Sequence, residues 1–259
     1  MTTIADPQQD EAAAHMADPH VNGNNSNHET WLRPSLGGGA LATPAQVRRE
    51  WLFPGSDELF RSIYTRAGTG FASEVVAVCS AVAGEGKTTL GIGLAVTIAQ
   101  DFPDRRVLLV ETDLQRPVLA DDFDTHASPG LVDCLIGGES LQSACRPTFL
   151  ENLNVVPSGG VADIPGRPLR SSRMAAIVDA MRQSYDVIIL DLPAILANSD
   201  AILLTDLADG VICVIRAGIT PAALVNRAVE QIEPSKLRGV VINGAASAVP
   251  GWLQRLTGL

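Results

Sequence analysis

The chain has 259 residues, 46% hydrophobic and 19% charged, a balance that is typical of one large globular domain. Its formal net charge of -10 and its lack of clustered Lys and Arg argue against a nucleic-acid partner. No apolar run approaches the ~20 residues of a membrane-spanning helix, and the N-terminus lacks the pattern of a signal peptide. We therefore expect a cytoplasmic protein without a membrane span, peripheral at a membrane only through a partner.

The first 50 residues differ in composition from the rest of the chain. They are rich in Asp, Asn, His, Gln, Pro and Gly, and they contain few apolar clusters. Such a segment cannot bury enough apolar surface to offset the entropy of ordering. The sequence thus predicts a disordered, polar arm over residues 1–50 and a folded nucleotide-binding domain over residues 51–259.

From Trp51 onward, apolar strands alternate with amphipathic helices. The predicted strands are Glu74–Ser80, Arg106–Thr112, Leu153–Pro157, Asp186–Asp191, Gly210–Arg216 and Gly239–Asn243. The predicted helices are Lys87–Gln100, Arg173–Ser184 and Pro221–Glu233. Continuous apolar strands that alternate with helices indicate a doubly wound, mostly parallel sheet with helices on both faces, a three-layer α/β/α P-loop fold.

A phosphate-binding loop is predicted between the first strand and the first helix. Residues 78–89 read VCSAVAGEGKTT and fit the P-loop pattern, with Ala81 in the first glycine position. Gly84 and Gly86 allow the backbone to curl so that its N–H groups face phosphate oxygens. Lys87 is expected to neutralise the phosphates of ATP, and the Thr88 hydroxyl to bind Mg²⁺. The predicted nucleotide-binding residues of this segment are Ala83, Gly84, Glu85, Gly86, Lys87, Thr88 and Thr89.

Lysine is rare in this chain, which makes its use at position 87 informative. Only Lys87 and Lys236 are lysines among the 19 basic residues. Arginine serves elsewhere as the general positive charge. A compact ammonium group fits inside a phosphate loop better than a planar guanidinium does.

Two further strands end in acidic residues. The run VLLVETD ends in Glu111 and Asp113, and the run VIILD ends in Asp191. Ligands collect at the carboxyl ends of strands in open α/β sheets, so these acids are candidates for catalysis with Lys87. Asp191 and Asp113 are predicted to hold Mg²⁺ together with Thr88, while a helix-capping role stays open for Asp113.

Short motifs along the chain extend this pattern. They are Glu85-Gly86-Lys87-Thr88-Thr89, Asp113-Leu114, Arg116-Pro117, Pro129-Gly130-Leu131, Asn152 to Gly159, Asp191-Leu192-Pro193, Ser199-Asp200-Ala201 and Ala208-Asp209-Gly210-Val211. Together they resemble the bacterial tyrosine kinases of capsule and exopolysaccharide synthesis that are made as separate cytoplasmic chains. The resemblance spans about Asp57 to Ser247. It implies Mg-ATP binding, activation by a transmembrane polysaccharide co-polymerase or export protein, and assembly into homo-oligomeric rings. It also implies that Asn243 reads the adenine base, although an ordinary strand-end turn explains Asn243 equally well.

The chain departs from that family at several positions. Glu111 and Gln115 stand where the family's second acidic motif carries Asp and Arg. Tyr64 replaces the last Arg of the Glu-x-x-Arg-x-x-Arg motif of the oligomerisation helix, which weakens the case for rings. The family's C-terminal tyrosine cluster is missing, because the chain has only Tyr64 and Tyr185.

Three functions remain open on this basis. The first is a protein-tyrosine kinase that acts on Tyr64 or on a tyrosine of a partner. The second is an ATP-gated assembly module of an export complex that phosphorylates no protein, which the missing tyrosines favour. The third, less favoured, is a partitioning or cell-division ATPase, since these carry a lysine where this chain has Val82.

Overall fold

A seven-stranded sheet organises the described part of the chain. This computed structural model describes residues 56–69, 73–160 and 168–245, so the predicted N-terminal arm lies outside it. The strands are β1 (Glu74–Ser80), β2 (Val107–Glu111), β3 (Arg146–Pro147), β4 (Leu153–Val156), β5 (Val187–Asp191), β6 (Gly210–Arg216) and β7 (Leu237–Asn243). Their order across the sheet is β3-β4-β2-β5-β1-β6-β7. All neighbouring pairs are parallel except β3 and β4.

Helices connect the parallel strands. The α-helices are α1 (Ser56–Ala67), α2 (Lys87–Asp101), α3 (Leu119–Asp122), α4 (Leu141–Ala144), α5 (Ser172–Ser184), α6 (Ser199–Leu207) and α7 (Ala222–Val229). A π-helical turn spans Asp133–Gly137, and a 3₁₀ turn spans Pro168–Arg170. Among the described residues, no helix combines the length and the apolar character that crossing a membrane would require.

The core lies on both faces of the sheet, as the continuous apolar strands predict. Every residue of β1, β2 and β5 is buried. On one face, Val76 and Val78 pack in a cluster with Leu94 and Ile98 of α2. On the other face, the alternate residues of the same strands pack against α5, α6 and α7. The predicted α/β/α fold is therefore confirmed, with strand and helix ends shifted by a few residues.

Helix α1 is attached to the end of α2 by a clasp of polar side chains. The Asp101 carboxylate accepts hydrogen bonds from Arg61 Nε at 2.7 Å, Arg61 Nη2 at 2.7 Å and the Tyr64 hydroxyl at 2.6 Å. Nearby, a Cβ added to Gly93 would overlap the Phe60 ring, so any larger residue at this position would require that ring to move. Arg61 and Tyr64 thus hold α1 on its own domain.

We expect the Asp101→Asn variant to lose about 1 kcal/mol of unfolding free energy at pH 7, because a partly exposed, charge-assisted contact is lost. The Arg61 guanidinium lowers the pKa of Asp101, and the Tyr64 hydroxyl contributes to this effect. A lowered folded-state pKa stabilises the fold above the unfolded-state pKa, and that stability disappears as the pH falls through the folded-state value. Urea unfolding at pH 7 and pH 3 should therefore show a difference that shrinks in acid. The matched control is Asp104→Asn on the adjoining exposed turn. An equal loss of unfolding free energy in that variant would contradict the stabilising role of the Asp101 contacts.

Candidate active site

The phosphate loop, residues 81–86, joins β1 to α2 at the carboxyl end of the sheet. Gly84 and Gly86 have φ angles of 83° and 98°, which side-chain-bearing residues rarely adopt. A Cβ at Gly86 would also lie 2.3 Å from Asn243 Nδ2. No described side chain caps α2 at Gly86, which leaves the N–H groups of its first turn available to an anion.

Lys87 lies between two acidic side chains beside this loop. Its Nζ is 3.0 Å from Asp113 Oδ2 and 3.7 Å from Asp191 Oδ1. The Thr88 hydroxyl donates a hydrogen bond of 2.6 Å to Asp191 Oδ2. The parallel pairing of β5 with β1 and with β2 brings these strand ends together. The structure thus assembles four of the residues that the sequence predicts for the site.

Asp191 occupies the most confined position of this group. It is 1% exposed, and burial raises its pKa to about 6. The ammonium of Lys87 and the hydrogen bond from Thr88 oppose that rise, while the neighbouring carboxylates of Glu111 and Asp113 add to it. Because burial and the neighbouring carboxylates both disfavour the negative charge of Asp191, a cation bound there would stabilise it.

The side-chain oxygen atoms of this site fit Mg²⁺ as phosphotransfer enzymes bind it. Within the described ranges, Asp191 Oδ1 is buried and accepts no hydrogen bond, although Lys87 Nζ is 3.7 Å away. The same ranges contain no group of three or more His, Cys, Asp or Glu that could hold a metal alone. Mg²⁺ usually takes one or two carboxylates and completes its shell with water and substrate phosphates. Asp191, Thr88 and Asp113 are the residues that would hold it.

Glu111 points its carboxylate at the backbone of two other segments. Oε1 accepts hydrogen bonds from the N–H groups of Val118 and Leu119, the latter at 2.9 Å, and Oε2 accepts one of 3.0 Å from Ser158 N–H. Burial raises the pKa of Glu111, and these three N–H groups counteract the rise. Glu111 therefore positions the start of α3 and the end of β4, and the extra methylene relative to Asp provides the reach. Its predicted catalytic role stays a prediction.

Asn243 ends β7 next to the phosphate loop. Its side-chain Nδ2 donates a hydrogen bond of 2.9 Å to the backbone oxygen of Glu85. The predicted contact with adenine is not tested by this geometry. What the geometry adds is a contact between the end of β7 and the loop itself.

Comparisons with known proteins find relatives of this chain. A family model described as an AAA domain matches residues 73–235. Tyrosine-protein kinase YwqD of Bacillus subtilis is 34% identical over 196 residues, covering 73% of this chain and 81% of that protein. The kinase domain of Escherichia coli tyrosine kinase ETK superposes with a TM-score of 0.66 at 26% identity, covering 75% of this chain and 79% of that one.

The chain belongs to the bacterial tyrosine kinase family. A further relative, the succinoglycan biosynthesis transport protein ExoP of Rhizobium meliloti, is 31% identical over 179 residues. That match covers 67% of this chain and 22% of ExoP.

Both tyrosines of this kinase-family chain are engaged inside the fold. Tyr64 is 4% exposed, and its hydroxyl donates to Asp101. The half-buried Tyr185 accepts a hydrogen bond of 3.1 Å from Asn154 Nδ2 and donates one of 3.4 Å to Cys145 Sγ. Burial raises the pKa of both hydroxyls. Tyr185 is structural, as its place beside a strand predicts, and Tyr64 lies in the clasp rather than at the surface.

Two features of the site of this kinase-family protein were not predicted, namely the role of Thr112 and the contacts of the Glu85 side chain. Thr112 donates from its N–H at 3.0 Å and from its hydroxyl at 2.8 Å to the backbone oxygen of Asp191, which fixes the two acidic strand ends side by side. Glu85 was predicted as a nucleotide-binding residue of the loop, but the hydrogen bonds of its carboxylate were not. A hydroxyl residue between Glu111 and Asp113 was the available indication for Thr112, whereas two of the three partners of the Glu85 carboxylate come from distant segments.

Proposed function

We propose that this chain binds Mg-ATP at the phosphate loop and transfers the γ-phosphoryl group to a tyrosine hydroxyl on another polypeptide. The observation that carries the proposal is the Lys87 ammonium, held 3.0 Å from Asp113 and 3.7 Å from Asp191 beside an uncapped helix start. Kinase relatives of similar length support the same reaction.

The reaction needs positioning and charge stabilisation more than covalent chemistry. The tyrosine oxygen forms a bond to the γ-phosphorus, and the bond between that phosphorus and the bridging oxygen breaks, leaving the electron pair on ADP. Asp113 takes the proton of the attacking hydroxyl. Lys87 and the loop amides stabilise the charge on the transferring group. When bound, Mg²⁺ supplies additional neutralisation of phosphate charge.

The ion pair of Lys87 with Asp113 has a consequence for this scheme. A phosphate that binds Lys87 competes with that carboxylate for the ammonium. As the ammonium turns to phosphate, the Asp113 carboxylate leaves its ion pair and becomes available to the attacking hydroxyl or to Mg²⁺. Nucleotide binding therefore releases the Asp113 carboxylate from Lys87, so that proton removal depends on the presence of ATP.

The acceptor is expected on a partner, because both tyrosines of these 259 residues are held by hydrogen bonds. We place the chain in exopolysaccharide or capsule synthesis, a setting supported by the similarity to a protein named for succinoglycan transport. A transmembrane polysaccharide co-polymerase or export protein is the expected partner, and it would bring the kinase to the inner face of the membrane.

The deciding experiment incubates the purified chain with Mg²⁺ and ATP labelled at the γ-phosphate. One sample contains a candidate membrane partner, one contains a tyrosine-containing acceptor peptide, and one contains the chain alone. We expect label on tyrosine of the partner or peptide, with little on the chain itself. A Tyr64→Phe, Tyr185→Phe double variant that still labels the acceptor identifies it as the target. Label confined to Tyr64 or Tyr185, or no labelled tyrosine at all, would contradict the proposal.

One observation favours the second candidate, an ATP-gated assembly module. The carboxylate that opens the second acidic motif, Glu111, is committed to three backbone N–H groups rather than to Lys87. Such a module would change its affinity for a partner with nucleotide and form no phosphotyrosine. Partner binding measured with ATP, with ADP and without nucleotide, beside the labelling assay, separates the two functions.

A further inference from the structure

The Glu85 side chain connects the phosphate loop to the end of β6 and to the turn that follows it. It is 1% exposed, although it lies in the loop between Gly84 and Gly86. Its Oε2 accepts a hydrogen bond of 2.7 Å from the N–H of Val82, within the loop. Its Oε1 accepts one of 3.2 Å from Arg216 N–H, at the end of β6, and another from the Thr220 hydroxyl.

The same residue is held through its backbone. The Glu85 carbonyl oxygen accepts the hydrogen bond from Asn243 at the end of β7. The turn between β6 and α7 is closed by its own bonds, from Ile219 N–H at 3.3 Å and Thr220 N–H at 3.1 Å to the Arg216 oxygen. Glu85 therefore links the loop to the ends of both strands on that side of β1.

The chemistry of these contacts requires a carboxylate. All three partners of the side chain are donors, namely two backbone N–H groups and one hydroxyl. A carboxylate offers acceptors on both oxygens, whereas a glutamine amide has one acceptor oxygen and an NH₂ group that would face a donor. The isosteric change to Gln turns an NH₂ group either to Val82 N–H or to Arg216 N–H and the Thr220 hydroxyl, so at least one of these three hydrogen bonds to Glu85 is lost.

We propose that Glu85 is a positioning residue that holds the phosphate loop in its nucleotide-binding conformation before ATP arrives, with Thr220 as its partner outside the loop. This inference rests on the proposed function, since it concerns the same nucleotide site. A loop that is already ordered binds phosphate without an added ordering cost. The effect of Glu85 should therefore fall on nucleotide affinity rather than on the chemical step.

The test compares Glu85→Gln, Thr220→Val and Thr220→Ser with the unaltered chain, using a fluorescent ATP analogue and the phosphotransfer assay. We expect Glu85→Gln to weaken Mg-ATP binding and raise KM about tenfold, the size expected when a charge-assisted hydrogen bond is lost. At saturating ATP, kcat should stay within about threefold, because ground-state and transition-state binding are lost together. Glu139→Gln is the matched control: its exposed carboxylate accepts a 3.0 Å hydrogen bond from the Ser143 hydroxyl.

Variants at Thr220 test the proposal even if the Glu85→Gln variant folds poorly. Thr220→Val should weaken binding about fivefold, and Thr220→Ser should restore it because the hydroxyl returns. The double variant Glu85→Gln, Thr220→Val should bind about as weakly as Glu85→Gln alone, since both changes break one connection. Faster hydrogen exchange at the Val82 amide in Glu85→Gln supports the same mechanism.

The outcomes separate this inference from the proposed function. If the unaltered chain binds no ATP, or binds it equally well after Lys87→Met, the proposed function fails. If Lys87→Met strongly weakens binding while Glu85→Gln binds within twofold of the unaltered chain, the positioning role is wrong. Fold losses that multiply in the double variant, or a Thr220→Ser variant as weak as Thr220→Val, overturn it as well.

Discussion

Replacing Lys87 by Met is expected to weaken Mg-ATP binding strongly and to lower phosphoryl transfer by at least about 100-fold. The ammonium is the positive charge that the site presents to phosphate, and methionine keeps the length of the side chain without that charge. The loop amides and the start of α2 remain, so a residual phosphate affinity is expected. Isothermal calorimetry and the labelling assay measure the two effects separately.

The same substitution has a structural effect that needs its own measurement. Without the ammonium, Asp113 and Asp191 remain as close, buried acids with no cation between them, and the nucleotide-free fold loses stability. Thermal unfolding in nucleotide-free buffer should show this loss. Lys236→Met is the matched control, because Lys236 donates to the backbone oxygens of Thr205 and Asp206 and is the only other lysine. Retained transfer in the Lys87 variant, or an equal loss in the Lys236 variant, would contradict the assigned role.

Changing Asp191 to Asn has the second large effect, a loss of Mg²⁺-dependent transfer of at least about 100-fold. Asparagine occupies the same volume and can still accept from the Thr88 hydroxyl, so the packing at the end of β5 is kept. It lacks the negative charge that a divalent cation requires. We expect ATP affinity in the variant to respond little to Mg²⁺, which a titration with and without the metal measures directly.

The fold of this variant should be preserved. Burial already disfavours the ionised form of Asp191, so a neutral amide removes an unfavourable charge while it loses the attraction to Lys87. The expected change in melting temperature is only a few degrees. Asp186→Asn serves as the control, since Asp186 directly precedes the same strand and accepts a 2.8 Å hydrogen bond from Arg106 N–H. Strong Mg²⁺ dependence that survives in the Asp191 variant would place the metal elsewhere.

The sequence predicts the sheet well because its strands are buried on both faces. An uninterrupted run such as VVAVCS or VIIL has no other favourable place than the centre of a covered sheet. Helix α6 was not among the predicted elements: its apolar residues give little contrast between faces, and its clearest marker is the Asn198 side chain that accepts from Asp200 N–H at 2.9 Å.

The site was predicted to the extent that it follows from strand order. Lys87, Asp113 and Asp191 end or follow neighbouring strands, so the fold itself brings them together. Glu111 could not be understood in this way, because its partners lie in the segments that begin α3 and follow β4. The contact between Asn243 and Glu85 likewise joins residues 158 positions apart. The hydrogen-bond partners of such side chains depend on loop conformations, which the local sequence pattern does not predict.

Under the proposed function, the engagement of Tyr64 and Tyr185 inside the fold means that phosphotyrosine accumulates on the partner and not on the kinase. A kinase whose own tyrosines are not accessible is not phosphorylated during turnover, so each molecule meets its next substrate unchanged. On that proposal, the modification is carried by the partner alone and lasts until the phosphoryl group is removed there. The number of partner tyrosines then sets the maximum amount of phosphotyrosine, and additional kinase only shortens the time needed to reach it.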